Sequence, residues 1–230
     1  MKVYEVSLKV FLLKEIIFNE SQSKIADLID QSLVRDDKFL SIHNKNMYKN
    51  YCFNSFYPLE REGIYKVGNI YTIKIRTIDK DIANYLNNKL ANEYTDCIKG
   101  LTTEIHIIPK RYIEKIYTIT PLIIKNDSGY WKNSLSFDGF EKRLKENLIK
   151  KYNNINDTKI DEDFQLYTSI ELNNRMPIAC PYKGKKLLGD KVNLVIADDE
   201  MAQNLAYMSL GVALGEINAR GYGFVNYKYL

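Results

Sequence analysis

Met201 to Leu230, MAQNLAYMSLGVALGEINARGYGFVNYKYL, is the stretch on which the fold turns. Asp198 or Asp199 stands where a helix N-cap belongs, and Met201, Leu205, Met208 and Val212 then recur at helical spacing as one apolar stripe. Tyr222 to Leu230 has few helix formers and many aromatics, which predicts a strand. Four of the 11 glycines, Gly211, Gly215, Gly221 and Gly223, fall in this stretch, so its order is helix, glycine loop, strand. A dinucleotide-binding fingerprint has the opposite order, with glycines that follow a strand and open a helix, and that function is excluded. Two readings of the glycines stay open. They make a tight turn into the last strand, or they bring a ligand close to the main chain, where aligned N–H groups and the Arg220 fork suit a phosphate.

Ahead of the tail, Val192 to Ala197 reads as a strand, and Tyr182 to Lys191 as a basic, hairpin-like loop. Lys183, Lys185 and Lys186 in that loop could grip a polyanionic backbone, or could simply keep a hairpin tip solvated. Phe164 to Leu172 is strand-like, and Phe137 to Tyr152 carries Phe140, Leu144 and Leu148 at helical spacing. Tyr112 to Lys125 reads as a strand or pair of strands, bent or at an edge where Pro121 removes a donor.

The first half has the same order. Tyr4, Val6, Leu8, Val10 and Leu12 alternate with polar residues as in a half-buried strand. Ser21 or Ser23 can cap a helix carrying Ile25, Leu28, Ile29 and Leu33, with Asp36-Asp37-Lys38 marking its end. Phe39 to Pro58 reads as a loop followed by a strand, and Tyr65 to Thr77 as a strand with a turn at Gly68-Asn69. Asp79 caps a second helix, and Thr102 to Ile108 is a strand. Lys74 and Arg76 are expected on a free sheet face, either as a basic RNA surface or as a merely solvated one. The fold class is therefore α+β: two tandem ferredoxin-like, RNA-recognition-type βαββαβ halves packed together, residues 1–115 and 116–230.

Composition sets bounds on function. The 230 residues are 45% apolar and 27% charged, which suits a globular chain with a real core. No apolar run is long enough to span a bilayer, and a cytoplasmic protein without a membrane partner is expected. Cys52, Cys97 and Cys180 are odd in number and far apart, so neither a disulfide framework nor a zinc site is expected. A formal charge of +4 fits an RNA binder without demanding one.

Ala213-Leu214-Gly215-Glu216-Ile217-Asn218-Ala219-Arg220-Gly221-Tyr222-Gly223-Phe224 resembles the C-terminal glycine-rich signature of the CRISPR-associated repeat-processing endoribonucleases of the repeat-associated RNA-binding superfamily. That signature runs Gly-apolar-Gly, a short polar run, then Gly-aromatic-Gly. Its second half is intact here, and Ala213 replaces its first glycine. The resemblance implies the same double fold, CRISPR repeat RNA as partner, and RNA contacts at Gly215, Arg220, Gly221 and Gly223. A multisubunit effector complex and a homodimer are left open as further partners. It also implies a cofactor-free and metal-independent reaction, in which a ribose 2′-hydroxyl attacks the adjacent phosphate to give a 2′,3′-cyclic phosphate.

Such a reaction needs a base, an acid and a cation near the phosphorane. The chain has only two histidines. His106 stands in an alternating strand on the side of Glu104, where a histidine is usually structural. His43 lies in a polar stretch near Lys45, Tyr48, Lys49 and Tyr51 and is the catalytic candidate. Family members carry a histidine after the first helix, ahead of a Phe- and Ser-containing strand, and a lysine shortly after it. His43, Phe53-Asn54-Ser55-Phe56 and Lys49 match these features. The tyrosine that some members place in the first helix has no counterpart between Ser21 and Phe39, and Tyr48 or Tyr51 is left as a substitute. Two alternatives to cleavage remain: a subunit of the same fold that holds guide RNA without cutting it, and an unrelated interaction module.

Overall fold

The alternation in the first strand, β1 (Val3–Leu12), buries Val6, Leu8, Val10 and Leu12 completely on one face. The computed structural model of the chain describes residues 1–44 and 48–230, with the backbone alone at 41–44. After β1 come β2 (Ile16–Ile17), α1 (Ser21–Leu33), α2 (Asp37–Asn44), β3 (Tyr51–Phe53), β4 (Ile64–Tyr65), β5 (Ile70–Thr77), α3 (Lys80–Lys89) and β6 (Ile98–Ile108). The second half comprises β7 (Ile113–Thr118), α4 (Phe137–Asn156), β8 (Tyr167–Leu172), β9 (Ile178–Tyr182), β10 (Lys185–Gly189), β11 (Val192–Ile196), α5 (Glu200–Val212) and β12 (Val225–Tyr229). Among the described residues no helix is long and apolar enough to cross a membrane.

The two main sheets are antiparallel and run β3-β5-β1-β6 and β12-β7-β11-β8. With the four main strands of each half numbered in chain order, both sheets read 4-1-3-2 from one edge, the double ferredoxin-like arrangement expected. The apolar stripe of α1 (Ile25, Leu28, Ile29) and that of α3 (Ile82, Leu86) pack on Val6, Leu8, Ile73 and Ile75. In the second half Phe140, Leu144, Leu148, Leu205 and Met208 cover Ile116, Leu194 and Val225. The β9–β10 hairpin, inserted between β8 and β11, is an addition to the basic plan.

Caps settle several boundaries. Asp79 accepts from the N–H groups of Asp81 (2.8 Å) and Ile82 (3.2 Å), and Asp199 from that of Ala202 at 2.9 Å, so both expected caps form. Ser21 and Ser23 do not cap α1, whose N-cap is Glu20 without a side-chain bond. Ser21 Oγ instead donates to Phe18 O at 2.7 Å, closing the preceding 3₁₀ turn. Asp36 does not mark only the end of α1. Its carboxylate accepts from Lys38 N at 3.0 Å and opens α2, so the segment carrying His43 is a helix where a loop was expected.

Arg76 corrects the picture of a solvated basic face. It is 1% exposed, because β12 and the residue before it lie over the first sheet at this point. Its Nε donates to Glu5 Oε2 at 2.6 Å and its Nη1 to Val225 O at 2.6 Å, and its guanidinium carbon sits 4.4 Å from the Phe224 ring centroid. Lys74 remains 45% exposed and reaches Glu5 Oε1 at 2.9 Å. Helix α5 completes the joint. Tyr207 OH accepts from Val3 N at 3.1 Å and donates to Ile108 O at 2.6 Å. A Cβ on Gly211 would fall 2.8 Å from Ile78 Cγ2, so only glycine lets the helix come this close to the first half.

Burial pushes the Glu5 carboxyl up, but the charges and hydrogen bonds of Arg76 and Lys74 outweigh it and hold the group below its ordinary 4.5. Such a carboxylate stabilises the fold fully above its unfolded pKa, and that stabilisation is lost as pH falls through its lower folded value. Glu5→Gln is therefore expected to cost about 2 kcal/mol at neutral pH, the loss of a charge-assisted buried bond. Urea unfolding should show this gap shrinking steadily below pH of about 4. A gap that stays constant into acid would refute the assignment.

Candidate functional site

Helix α5 cannot run into β12 without reversing the chain, and the reversal uses left-handed backbone five times in residues 213–223: Ala213, Gly215, Ile217, Gly221 and Gly223. Gly215, Gly221 and Gly223 meet this requirement without strain. Ala213 takes φ 61 and ψ 172, a region close to exclusive to glycine, at the position where the glycine-rich signature has its first glycine. Ala213→Gly is accordingly expected to stabilise the protein by about 1 kcal/mol after the added chain entropy of glycine is subtracted. Thermal unfolding should register this as a rise of roughly 3 °C; no rise would show that the site is relaxed.

The loop is stitched from several sides. Gly223 N donates to Pro121 O at 2.8 Å, Glu216 N to Ile123 O at 2.9 Å and Leu214 N to Gly223 O at 3.0 Å. Asn218 Nδ2 donates to Leu214 O at 2.8 Å and Tyr222 O at 3.0 Å, tying the two limbs together. Lys151 reaches in from α4, with Nζ 2.9 Å from Ala213 O, 2.7 Å from Gly215 O and 2.7 Å from Asn218 Oδ1. Burial pulls this ammonium down to about 7.

Beside the loop, between the two halves, lies a cleft of about 710 Å³. The first half lines it with Tyr48, Lys49, Asn50 and Tyr51, the segment that follows α2. The second half contributes Lys125, Tyr182, Lys183 and the loop residues Glu216 to Arg220. Its cationic character comes from Lys49, Lys125, Lys183 and Arg220; Lys151, also among the lining residues, is 1% exposed and bonded to the loop. Burial lowers the Lys49 ammonium, and the neighbouring Arg220 charge lowers it further, against the pull of Asp30. Burial raises the Glu216 carboxyl, the one carboxyl among the described lining residues, against the pull of Lys125. Cations, tyrosines and amides around a groove of this size suit a phosphate backbone with exposed bases.

The family model described as "CRISPR associated protein Cas6, C-terminal" matches residues 104–227, more than half of the chain and the part that holds this loop. The chain belongs to the Cas6 family. That assignment carries with it, at the level of the family, the processing of CRISPR repeat RNA by an endoribonuclease. Solved structures share the fold over almost the whole length. "CRISPR associated protein Cas6" is 19% identical with a TM-score of 0.72, covering 98% of this chain and 99% of that one. "An RAMP protein binding different RNA substrates" is 16% identical with a TM-score of 0.71, covering 98% and 99%. A structure described as "Characterization of a Cas6-related gene from Pyrococcus furiosus" is 15% identical with a TM-score of 0.70, covering 98% of each chain. No curated protein sequence matches the chain.

In this Cas6-family chain the residues singled out by sequence do not all serve one purpose. Lys49, Lys183 and Arg220 meet in the cleft. His43 belongs to the last turn of α2, and its side chain is outside the described residues, as is Lys45. Arg220, expected as a phosphate fork, is paired through Nη1 with Asp30 of α1 and is 31% exposed. Lys185 and Lys186 lie on β10 beyond the cleft lining, while Lys183 occupies the hairpin turn with left-handed backbone (φ 48). Gly221 presses against the first half, where an added Cβ would stand 2.5 Å from Phe53 Cε2. His106 is half exposed on β6, 3.5 Å from Glu5 Oε1, and does not line the cleft. Lys151 was missed from sequence because the pair Lys150-Lys151 reads as a solvated helix face. The available signal was its place on the Leu144–Leu148 stripe, one turn beyond Leu148.

Proposed function

We propose that this protein is a metal-independent endoribonuclease that cleaves CRISPR precursor RNA within its repeats to release guide RNAs. The observation that carries the proposal is the cleft itself, where the segment following the His43 helix faces the glycine-rich loop and the cations Lys125, Lys183 and Arg220 of the other half. In this reading residues 1–115 supply the chemistry and residues 116–230 the grip on RNA. His43 acts as base or acid. The base takes the proton of the 2′-hydroxyl, O2′ bonds to phosphorus, the bond from phosphorus to O5′ breaks, and an acid protonates the leaving oxygen. Lys49 supports the charge that develops on the phosphorane. Arg220, presented on the loop that Gly215, Gly221 and Gly223 turn, holds the RNA backbone together with Lys183, and Lys185 and Lys186 extend the positive field along the hairpin. A solved relative of the same fold is described as binding different RNA substrates, in keeping with this role.

One observation favours a second reading, a guide-RNA-holding subunit without activity: α1 and the residues up to Phe39 contain no tyrosine. The deciding experiment incubates the protein with repeat RNA in EDTA. A single cut leaving a 5′-hydroxyl and a 2′,3′-cyclic phosphate supports the enzyme. Tight binding without a cut selects the holding subunit, and no binding at low salt overturns both.

A further inference from the structure

Lys151 is a buried cation for which the cleavage step has no use. It is 1% exposed on α4, where an ammonium must have its three donors satisfied. Among the described residues no carboxylate bonds to it. Its three closest partners are Ala213 O, Gly215 O and Asn218 Oδ1, at 2.9, 2.7 and 2.7 Å, with Val212 O at 3.5 Å. All three belong to the glycine-rich loop, and Asn218 relays the tie to Leu214 O and Tyr222 O. The fastened residues are those that most need holding. Ala213 is left-handed without being glycine, and Ile217, also left-handed, lies between Gly215 and Asn218.

We infer that Lys151 is a positioning residue for RNA binding: its ammonium fixes the backbone of residues 213–218 in the shape that presents the loop and Arg220 to RNA, without touching RNA itself. The inference rests on the reading of the loop as an RNA-binding element. It is distinguished from direct contact by charge counting. A lysine that neutralises a phosphate lowers the slope of log affinity against log salt when it is removed, by about 0.7 for single-stranded RNA. A lysine that only shapes the loop lowers affinity and leaves the slope unchanged.

Lys151→Met keeps the stem and removes the charge. Binding of repeat RNA would be titrated from about 50 to 200 mM salt for wild type, Lys151→Met and, as a phosphate-contact control, Lys183→Ala. The expected result for Lys151→Met is a Kd raised about tenfold or more, a wild-type slope and a wild-type far-UV spectrum. Lys183→Ala should show a reduced slope. An unchanged Kd in folded Lys151→Met overturns the inference, and so does a reduced slope. If Lys151→Met does not fold, Asn218→Ala, which leaves the charge and removes one fastening, is judged by the same two criteria. Wild type that binds no RNA would refute the RNA reading itself, a result separable from any behaviour of the variants.

Discussion

His43→Ala is expected to slow cleavage of repeat RNA by about a hundredfold or more while leaving RNA affinity unchanged. The size follows from what a positioned acid or base contributes to proton transfer in the transition state. The choice of residue follows from the chain having two histidines, of which His106 stands on β6 beside Glu5 and away from the cleft lining. His43 lies in α2, and the next segment described, Tyr48 to Tyr51, forms one wall of the cleft. Single-turnover cleavage under saturating protein isolates the chemical step from binding. His106→Ala, measured beside it, should cleave like wild type. Equal rates for His43→Ala and wild type would remove His43 from the mechanism, and a parallel loss of affinity would make it a binding residue instead.

Gly223→Ala is expected to destabilise the fold by about 4 kcal/mol or more, in the tail that few single substitutions reach. Its φ of +74 is strained for any other residue, and the added Cβ would stand 2.0 Å from Leu214 O. That oxygen cannot give way cheaply, because it belongs to the loop backbone and accepts from Asn218 Nδ2. In thermal unfolding this should appear as a fall of roughly 10 °C, with RNA binding lost at temperatures where wild type still binds. Gly129→Ala is the matched control, since φ there is +90 with nothing within 4 Å. It isolates the backbone cost, about 1 kcal/mol. Equal effects from the two substitutions would show that the loop accommodates the clash.

The sequence made the halves legible because the alternation in Val3–Leu12 and the helical stripes each have one dominant period, and the order of elements repeats. The misreading of the stretch from Phe39 as a loop has its cause at Asp36-Asp37-Lys38. Acids and a lysine together suit the flank of either helix, and only the bond from Lys38 N to Asp36 shows that they open one. Arg76 was placed by strand parity on the correct face. Parity does not say that this face meets the other half, and its burial against Phe224 and Val225 depends on contacts nearly 150 residues away in sequence. The cleft cations Lys49, Lys183 and Arg220 could be picked out by type and by neighbouring motifs. The pairing of Arg220 with Asp30 could not, because it depends on how the two halves meet.

The wedge formed by α5, with Tyr207 bonded to both ends of the first half's chain and Gly211 set against Ile78, has a consequence for how a polymer would be received. Together with the Arg76 joint it ties together the two halves that wall the cleft. On the proposed reading, a strand of RNA would meet two walls already joined, with less ordering of the protein charged against its affinity. On that reading, the distance along the strand between the nucleotides held by the hairpin and the phosphate beside α2 would then be set by the protein.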